Sequence, residues 1–141
     1  MPKFTDLFLL RNEVIEAATN VEYRQYFCGD LKRPQILPFI QIDGIEMGIS
    51  DYRNNAYDKP HYHMETPDMI YILEGEFYVF ILDTKEVITM KKGDYISIPP
   101  KTPYASKAKA GTRTLFVKKL NGNDKVEVIL DDELRLWLEA I

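Results

Sequence analysis

The sequence predicts a mainly β protein, an antiparallel jelly-roll barrel with one short helix near each end of the chain. Short segments rich in β-branched and aromatic residues follow one another at even spacing, and glycine or proline turns separate them. Helical periodicity is confined to the two ends of the chain. The 141 residues, 45% hydrophobic and 28% charged, are typical of one soluble domain with a single core.

The N-terminal segment, residues 1–33, is predicted to be an arm that precedes the barrel. It holds one short helix over residues 11–19, because Val14, Ile15 and Ala18 recur at helical spacing. Beyond Pro34 the pattern changes to short strands, and residues 34–130 are predicted to form the barrel. Asp43-Gly44, between residues 36–42 and 45–53, is a strong signal for a β-hairpin.

Further strands and a last helix complete the predicted barrel. The strands are expected at residues 69–73, 76–82, 86–90, 95–98, 112–120 and 125–129. The turns between them are Lys92-Gly93-Asp94, Pro99-Pro100, Ala110-Gly111 and Asn121-Gly122. Residues 131–141 then show helical periodicity, with Asp131 or Asp132 as the N-cap and one apolar stripe of Leu134, Trp137, Leu138 and Ile141.

The chain has only two histidines, His61 and His63, and they are two positions apart. On a β-strand, residues i and i+2 project from the same face. Two imidazoles on one face, with a carboxylate nearby, are suitable ligands for a divalent transition metal. An isolated pair of this kind is more often a pair of surface or hydrogen-bonded histidines, so its interpretation depends on the residues C-terminal to His63.

From His61 onward the sequence resembles the cupin superfamily. The first cupin motif has the form HxH, three or four residues, an acid that is usually Glu, six residues and Gly. Here His61 and His63 are followed by four residues, Asp68, six residues and Gly75. The match departs from the usual motif only in the acid, which is Asp68 in place of Glu.

The second cupin motif matches further along the chain. It begins with Gly-Asp, reaches Pro after five residues and normally ends at a third histidine. Gly93 and Asp94 begin this pattern here, and Pro99 follows at the expected distance. Lys101 stands where the family usually has a turn glycine, and Tyr104 stands in the position of the third histidine. The resemblance covers about residues 36–120 and implies a small single-domain cupin.

The resemblance implies a metal site near one mouth of the barrel, formed by His61, His63, Asp68 and Tyr104. The implied cofactor is a divalent transition metal such as zinc, iron, manganese or nickel, or no metal if the substitutions have abolished binding. Glu65 is a rival for the acidic position, although the spacing to the motif glycine favours Asp68. Because a free phenol has a pKa near 10, Tyr104 is a reluctant ligand. It is therefore expected first as a hydrogen-bond donor or general acid/base, second as a metal ligand and third as packing.

The lining of the barrel is predicted from strand alternation, counted from the acid. If Asp68 faces inward, so do Ile70 and Ile72, while residues 69, 71 and 73 face the other side. Four aromatic side chains are further candidates for this wall, namely Tyr52, Phe77, Phe80 and Tyr95. A mostly apolar pocket with a few convergent polar groups is typical of a small-molecule site.

Two functions of different classes fit this pattern. One is a metal-binding cupin enzyme acting on a small polar metabolite such as a sugar derivative or an organic acid, and the other is a non-catalytic ligand-binding or sensing cupin with a degenerate metal site. The net charge of −4 argues against nucleic acid as a partner, and no apolar run approaches the length of a membrane span. Cys28 is the only cysteine, which favours the reducing cytoplasm. A homodimer is expected from the resemblance.

Overall fold

Strands dominate the structure, a computed structural model that describes residues 7–119 and 124–140. The helices are α1 (Asn12–Val21) and α2 (Asp132–Glu139). The strands are β1 (Arg24–Gly29), β2 (Ile40–Gln41), β3 (Glu46–Tyr52), β4 (Ala56–His63), β5 (Asp68–Glu74), β6 (Glu76–Ile81), β7 (Val87–Lys91), β8 (Tyr95–Ile98), β9 (Tyr104–Ala108), β10 (Thr112–Lys118) and β11 (Lys125–Glu127).

These strands form two sheets that face each other as the two halves of a barrel. One sheet has the order β2-β1-β3-β10-β5-β8, and the other has the order β11-β4-β9-β6-β7. Every pairing is antiparallel except that of β1 with β2. Consecutive strands such as β4 and β5 alternate between the sheets, as jelly-roll topology requires. The predicted fold class is therefore confirmed.

The edge formed by β2, β1 and β3 differs from the sequence prediction. β1, at residues assigned to the N-terminal arm, lies between β2 and β3 and pairs with both. The predicted hairpin around Asp43-Gly44 is wrong, although Gly44 does adopt a turn conformation with φ of 85°. The side chain of Gln35 explains the insertion, because it accepts from the backbone N–H of Tyr26 at 2.8 Å and donates to its carbonyl at 2.7 Å. These contacts hold the returning chain along β1.

The two helices lie where periodicity placed them, with small differences at their ends. The side chain of Asp131 caps α2, accepting from the backbone N–H of Leu134 at 2.8 Å. Leu134 and Leu138 are buried and pack with Ala105 on the outer face of β9. Three predicted features lie outside the described residues. They are the end of one strand at Leu120, the turn at Asn121-Gly122 and the last residue of the apolar stripe, Ile141. In the described ranges, no helix has the length and apolar character needed to cross a bilayer.

The barrel interior follows strand alternation closely. Ile70 and Ile72 face the core as expected, and Tyr71 between them is 39% exposed. Phe77 is also in the core, but Phe80, three residues along the same strand, has the opposite parity and packs outside against α2. Tyr95 is wrong as a lining residue for the same reason, since its partner across the sheet is the outward Tyr71. The core is completed by Val79, Met90, Ile98, Tyr104 and Ala108.

Candidate metal centre

Three strands bring the four predicted site residues together. His61 and His63 are on β4, Asp68 is the first residue of β5, and Tyr104 is the first residue of β9. Tyr104 lies directly opposite His61 in the β4–β9 pair. All four side chains are buried, each with less than one tenth of its surface exposed. One donor atom from each of His61, His63 and Asp68 lies within 4.8 Å of the others.

Hydrogen bonds at the far side of each ring orient the two imidazoles. The Nδ1–H of His61 donates to the carbonyl of Lys59 at 2.7 Å, and that of His63 donates to Oδ1 of Asp124 at 2.7 Å. These acceptors favour a proton on Nδ1 and turn Nε2 of each ring toward the centre, where a metal would replace the proton through which His63 donates to Asp68. Nε2 of His63 lies 3.1 Å from the Asp68 carboxylate. The donor set therefore fits a divalent transition metal.

Asp124 is a site residue that the sequence analysis did not identify. Besides holding His63, its carboxylate accepts the backbone N–H groups of Glu65 and Thr66, each at 3.0 Å. This one side chain therefore fixes both an imidazole and the turn between β4 and β5. The side chain of Glu65, the rival acid, is exposed and takes no part in the cluster that joins the histidines to Asp68.

The hydroxyl of Tyr104 donates to Oδ2 of Asp68, in a buried contact. Burial, followed by the negative charge of Asp68, raises the pKa of Tyr104 well above its ordinary value. The phenol is therefore neutral at physiological pH and donates a hydrogen bond to the ionised Asp68. Its ring also lies 4.6 Å from the ring of His61, between centroids.

The ionisation of the three candidate ligands is set by burial and by their mutual contacts. Burial tends to raise the pKa of Asp68, but hydrogen bonds from His63 and Tyr104 outweigh it, and the pKa lies below the ordinary value. The hydrogen bond to Asp68 raises the pKa of His63, whereas burial lowers the pKa of His61. The cluster thus offers an anionic carboxylate and at least one neutral imidazole, the forms in which these groups bind metals.

Two turn residues of the motifs support the site. Lys101, in place of the usual turn glycine, still adopts the left-handed conformation with φ of 64°. Its backbone N–H donates to the carbonyl of His63 at 2.7 Å and so ties the turn to the site. Gly75 has φ of 85°, and a Cβ there would lie 2.5 Å from Oγ1 of Thr112, so only glycine fits without displacement.

The site opens into a cavity of about 650 Å³ inside the barrel. Tyr52 and Phe77 contribute to its wall, as the sequence analysis expected. The rest of the wall is largely polar and charged. It includes Arg24, Tyr26, Ser50, Asp58, Ile70, Ser106, Thr114 and Phe116, together with the charged side chains of Glu22, Asp30, Lys32, Arg33, Glu46, Lys118 and Lys125. This volume is in the range that holds a small metabolite.

Comparison with protein families agrees with the geometry. The family model described as "Cupin domain" matches residues 48–117, which include His61, His63, Asp68 and Tyr104. The chain belongs to the cupin superfamily. The jelly-roll fold and the two motifs, which first suggested this family, are thereby accounted for together.

Individual relatives are more distant. A probable germin-like protein of Arabidopsis thaliana, subfamily 2 member 5, is 31% identical over 86 residues, 59% of this chain and 39% of that protein. The structure of KdgF from Halomonas sp. superposes with a TM-score of 0.55 and 16% identity, covering 72% of this cupin and 80% of KdgF. The polyketide cyclase RemF from Streptomyces resistomycificus superposes with a TM-score of 0.50 and 22% identity, covering 66% and 65% of the two chains. At these identities the two structures support the fold alone.

Proposed function

We propose that this cupin is a metal-dependent enzyme that acts on a small polar metabolite inside the barrel. One observation carries the proposal, the convergence of His61, His63 and Asp68 beside an internal cavity of about 650 Å³. Three protein donors leave coordination positions open, as a catalytic metal requires and a structural metal does not. The donor set admits zinc, iron, manganese or nickel, and two histidines with one carboxylate are also the set of non-haem iron oxygenases.

A divalent metal bound there supplies Lewis-acid chemistry, polarising a carbonyl or hydroxyl of the substrate. The residues of the chain prepare the site for it. Asp68 is kept ionised, and Tyr104 holds that carboxylate in one orientation through its hydroxyl. Asp124 and the Lys59 carbonyl hold the imidazoles so that Nε2 faces the centre. We assign Tyr104 the role of a positioning residue on these grounds.

The alternative is a non-catalytic ligand-binding or sensing cupin with a degenerate metal site. The contacts of Asp68 favour it, because the carboxylate is already within 3.1 Å of Nε2 of His63 and accepts from Tyr104. A cluster that satisfies its own polar groups is stable without a metal. Tyr104, in the place of the third histidine, is the substitution that would have produced this state.

Elemental analysis of the purified protein separates these two functions. For the enzyme we expect about one transition metal per chain in the wild type, and loss of the metal in His61→Ala and in His63→Ala, since each removes one of few donors. Tyr62→Ala is the matched control, because Tyr62 lies between the histidines and faces the other side of β4. A wild type that retains no metal after reconstitution would favour the binding function.

We also propose that the protein is a homodimer in the cytosol. Apolar side chains that precede β2 are unusually exposed, with Leu7 at 66%, Leu9 at 65% and Ile36 at 53%. Trp137 on α2 packs on Phe80 of its own chain, with ring centroids 5.3 Å apart, and so needs no cover from a second chain. Sedimentation velocity at micromolar concentration should give a dimer that Leu7→Ser with Leu9→Ser weakens, and a monomeric wild type would contradict the proposal.

A further inference from the structure

Arg24, which no motif includes, projects from β1 into the cavity that holds the candidate metal centre. Its Nε–H donates to Oγ of Ser50 at 3.0 Å. The guanidinium carbon lies 5.3 Å from the ring centroid of Tyr23 and 5.3 Å from that of Phe116. Contacts with two aromatic rings and a hydroxyl hold the guanidinium in one place, as cation–π geometry favours.

This cation has no carboxylate partner within the described parts of the chain. No oxygen of an acidic side chain in residues 7–119 and 124–140 lies within 4.0 Å of its nitrogens, whereas Arg53, Arg113 and Arg135 each have such a partner. Burial tends to lower the pKa of Arg24, but nearby tyrosines and Asp58 outweigh it, so the group is fully charged. A fixed, partly buried cation with no carboxylate in direct contact is costly in a fold that has no use for it.

The strand register shows toward which end of the sheet this cation leans. Arg24 lies opposite Ser50, and the next inward position along the sheet brings Phe116 beside Ile70. Because the guanidinium packs on Phe116, it leans toward the end of the sheet where Asp68 lies. Arg24, His61, His63 and Asp68 line the same cavity, so a small molecule held by the guanidinium can extend to the candidate ligands.

Gly48 makes this arrangement possible. A Cβ at Gly48 would lie 2.6 Å from Cζ of Phe116, so the ring occupies the space that a side chain would need. The Phe116 ring in turn contacts Tyr26 edge-on, with centroids 5.3 Å apart. The Phe116 ring that contacts the guanidinium is therefore held in place by the residues packed around it.

We propose that Arg24 binds the carboxylate of a small organic acid whose carbonyl or hydroxyl end lies at His61, His63 and Asp68. This inference rests on the proposed function and specifies its substrate class. A planar guanidinium matches a carboxylate bidentately, and the hydroxyls of Ser50 and Thr114 line the same part of the cavity. A neutral sugar would leave the cation unpaired. Five basic side chains of the lining, Arg24 among them, offset its five acidic side chains, so the cavity admits an anion.

Calorimetric titration with a panel of carboxylates, lactate, malonate and gluconate, tests this assignment, with lactamide as the neutral counterpart of lactate. We expect at least one carboxylate to bind the wild type and lactamide not to bind. Arg24→Gln should weaken that binding by about 10- to 100-fold, as expected for loss of a charged hydrogen-bonded partner. Arg24→Lys keeps the charge but loses the planar, two-pronged guanidinium, so its carboxylate affinity should lie between those of the wild type and Arg24→Gln. Arg135→Gln, on the exposed face of α2, is the control and should bind carboxylate as the wild type does.

The same titrations on chelator-treated protein keep this inference separable from the proposed function. Metal content reports the proposed function, and the difference between wild type and Arg24→Gln in carboxylate binding reports the role of Arg24. Loss of binding in Arg24→Gln with unchanged metal content and an unchanged unfolding midpoint supports the assignment. It is overturned if no carboxylate of the panel binds, if lactamide binds as tightly as lactate, or if folded Arg24→Gln binds like the wild type.

Discussion

Replacing Tyr104 by phenylalanine removes one oxygen from the buried network and leaves the ring in place. The hydroxyl donates to an ionised carboxylate, and a hydrogen bond to a charged group contributes about 1.5–3 kcal/mol. The ring, which is 4% exposed and packs on His61, keeps its contacts and leaves no sizeable cavity. We therefore expect the free energy of unfolding of the metal-free protein to fall by about 1.5–3 kcal/mol.

The pH dependence of this loss has a definite sign. Hydrogen bonds from His63 and Tyr104 hold the pKa of Asp68 below its ordinary value, so Asp68 contributes stability above the unfolded pKa of about 4 and loses it as the pH falls. The difference between wild type and Tyr104→Phe should be full near neutral pH. It should shrink as Asp68 becomes protonated in acid.

Urea unfolding in the presence of chelator, together with elemental analysis, measures both consequences. Metal content should stay near that of the wild type, because His61, His63 and Asp68 remain. Tyr95→Phe is the control, since Tyr95 is 57% exposed on the outer face. Loss of the metal comparable to that in His61→Ala would show that Tyr104 is a ligand. If neither stability nor metal content changes, the hydroxyl of Tyr104 has no role and the residue serves only in packing.

Three further substitutions test the supports of the site. Asp124→Asn should weaken metal affinity by about 10- to 100-fold in a competition titration with a chelating dye, because Asp124 orients His63; an unchanged affinity would refute this role. Gly75→Ala should lower the unfolding free energy by about 2–4 kcal/mol, because its Cβ would clash with Thr112. Gly93→Ala is the control and should lose less, since φ there is also positive but a Cβ meets no atom. Equal losses in the two variants would refute the clash with Thr112. Lys101→Gly should raise the unfolding free energy by about 0.5–1 kcal/mol by relieving its left-handed conformation, and destabilisation would contradict this.

His61, His63 and Asp68 could be predicted from the sequence because they lie close together along the chain. His61 and His63 share a strand, so alternation alone places them on one face, and Asp68 begins the next strand after a short turn. Asp124 was missed because 61 residues separate it from His63 and it belongs to no motif. Arg24 was missed for a similar reason, since its strand was assigned to the N-terminal arm.

The parts of the fold that could not be predicted depend on long-range pairing. The turn at Asp43-Gly44 indicates a chain reversal but cannot show that β1 inserts between the flanking segments. β4 carries Pro60, which argues against an interior strand, and the register shift between Asp58 and His61 in the β4–β9 pair accommodates it. β9, with the sequence YASKA, has few β-forming residues and is buried because the barrel and α2 cover its two faces.

Anomalous diffraction from crystals of the metal-reconstituted protein is the most direct test of the proposed metal centre. We predict one anomalous peak at roughly 2.0–2.2 Å from Nε2 of His61, Nε2 of His63 and a carboxylate oxygen of Asp68. The Tyr104 hydroxyl should remain on Asp68 and outside bonding distance of the metal. The absence of a peak at this site in reconstituted crystals, or a peak bound by other residues, would contradict the proposed metal centre.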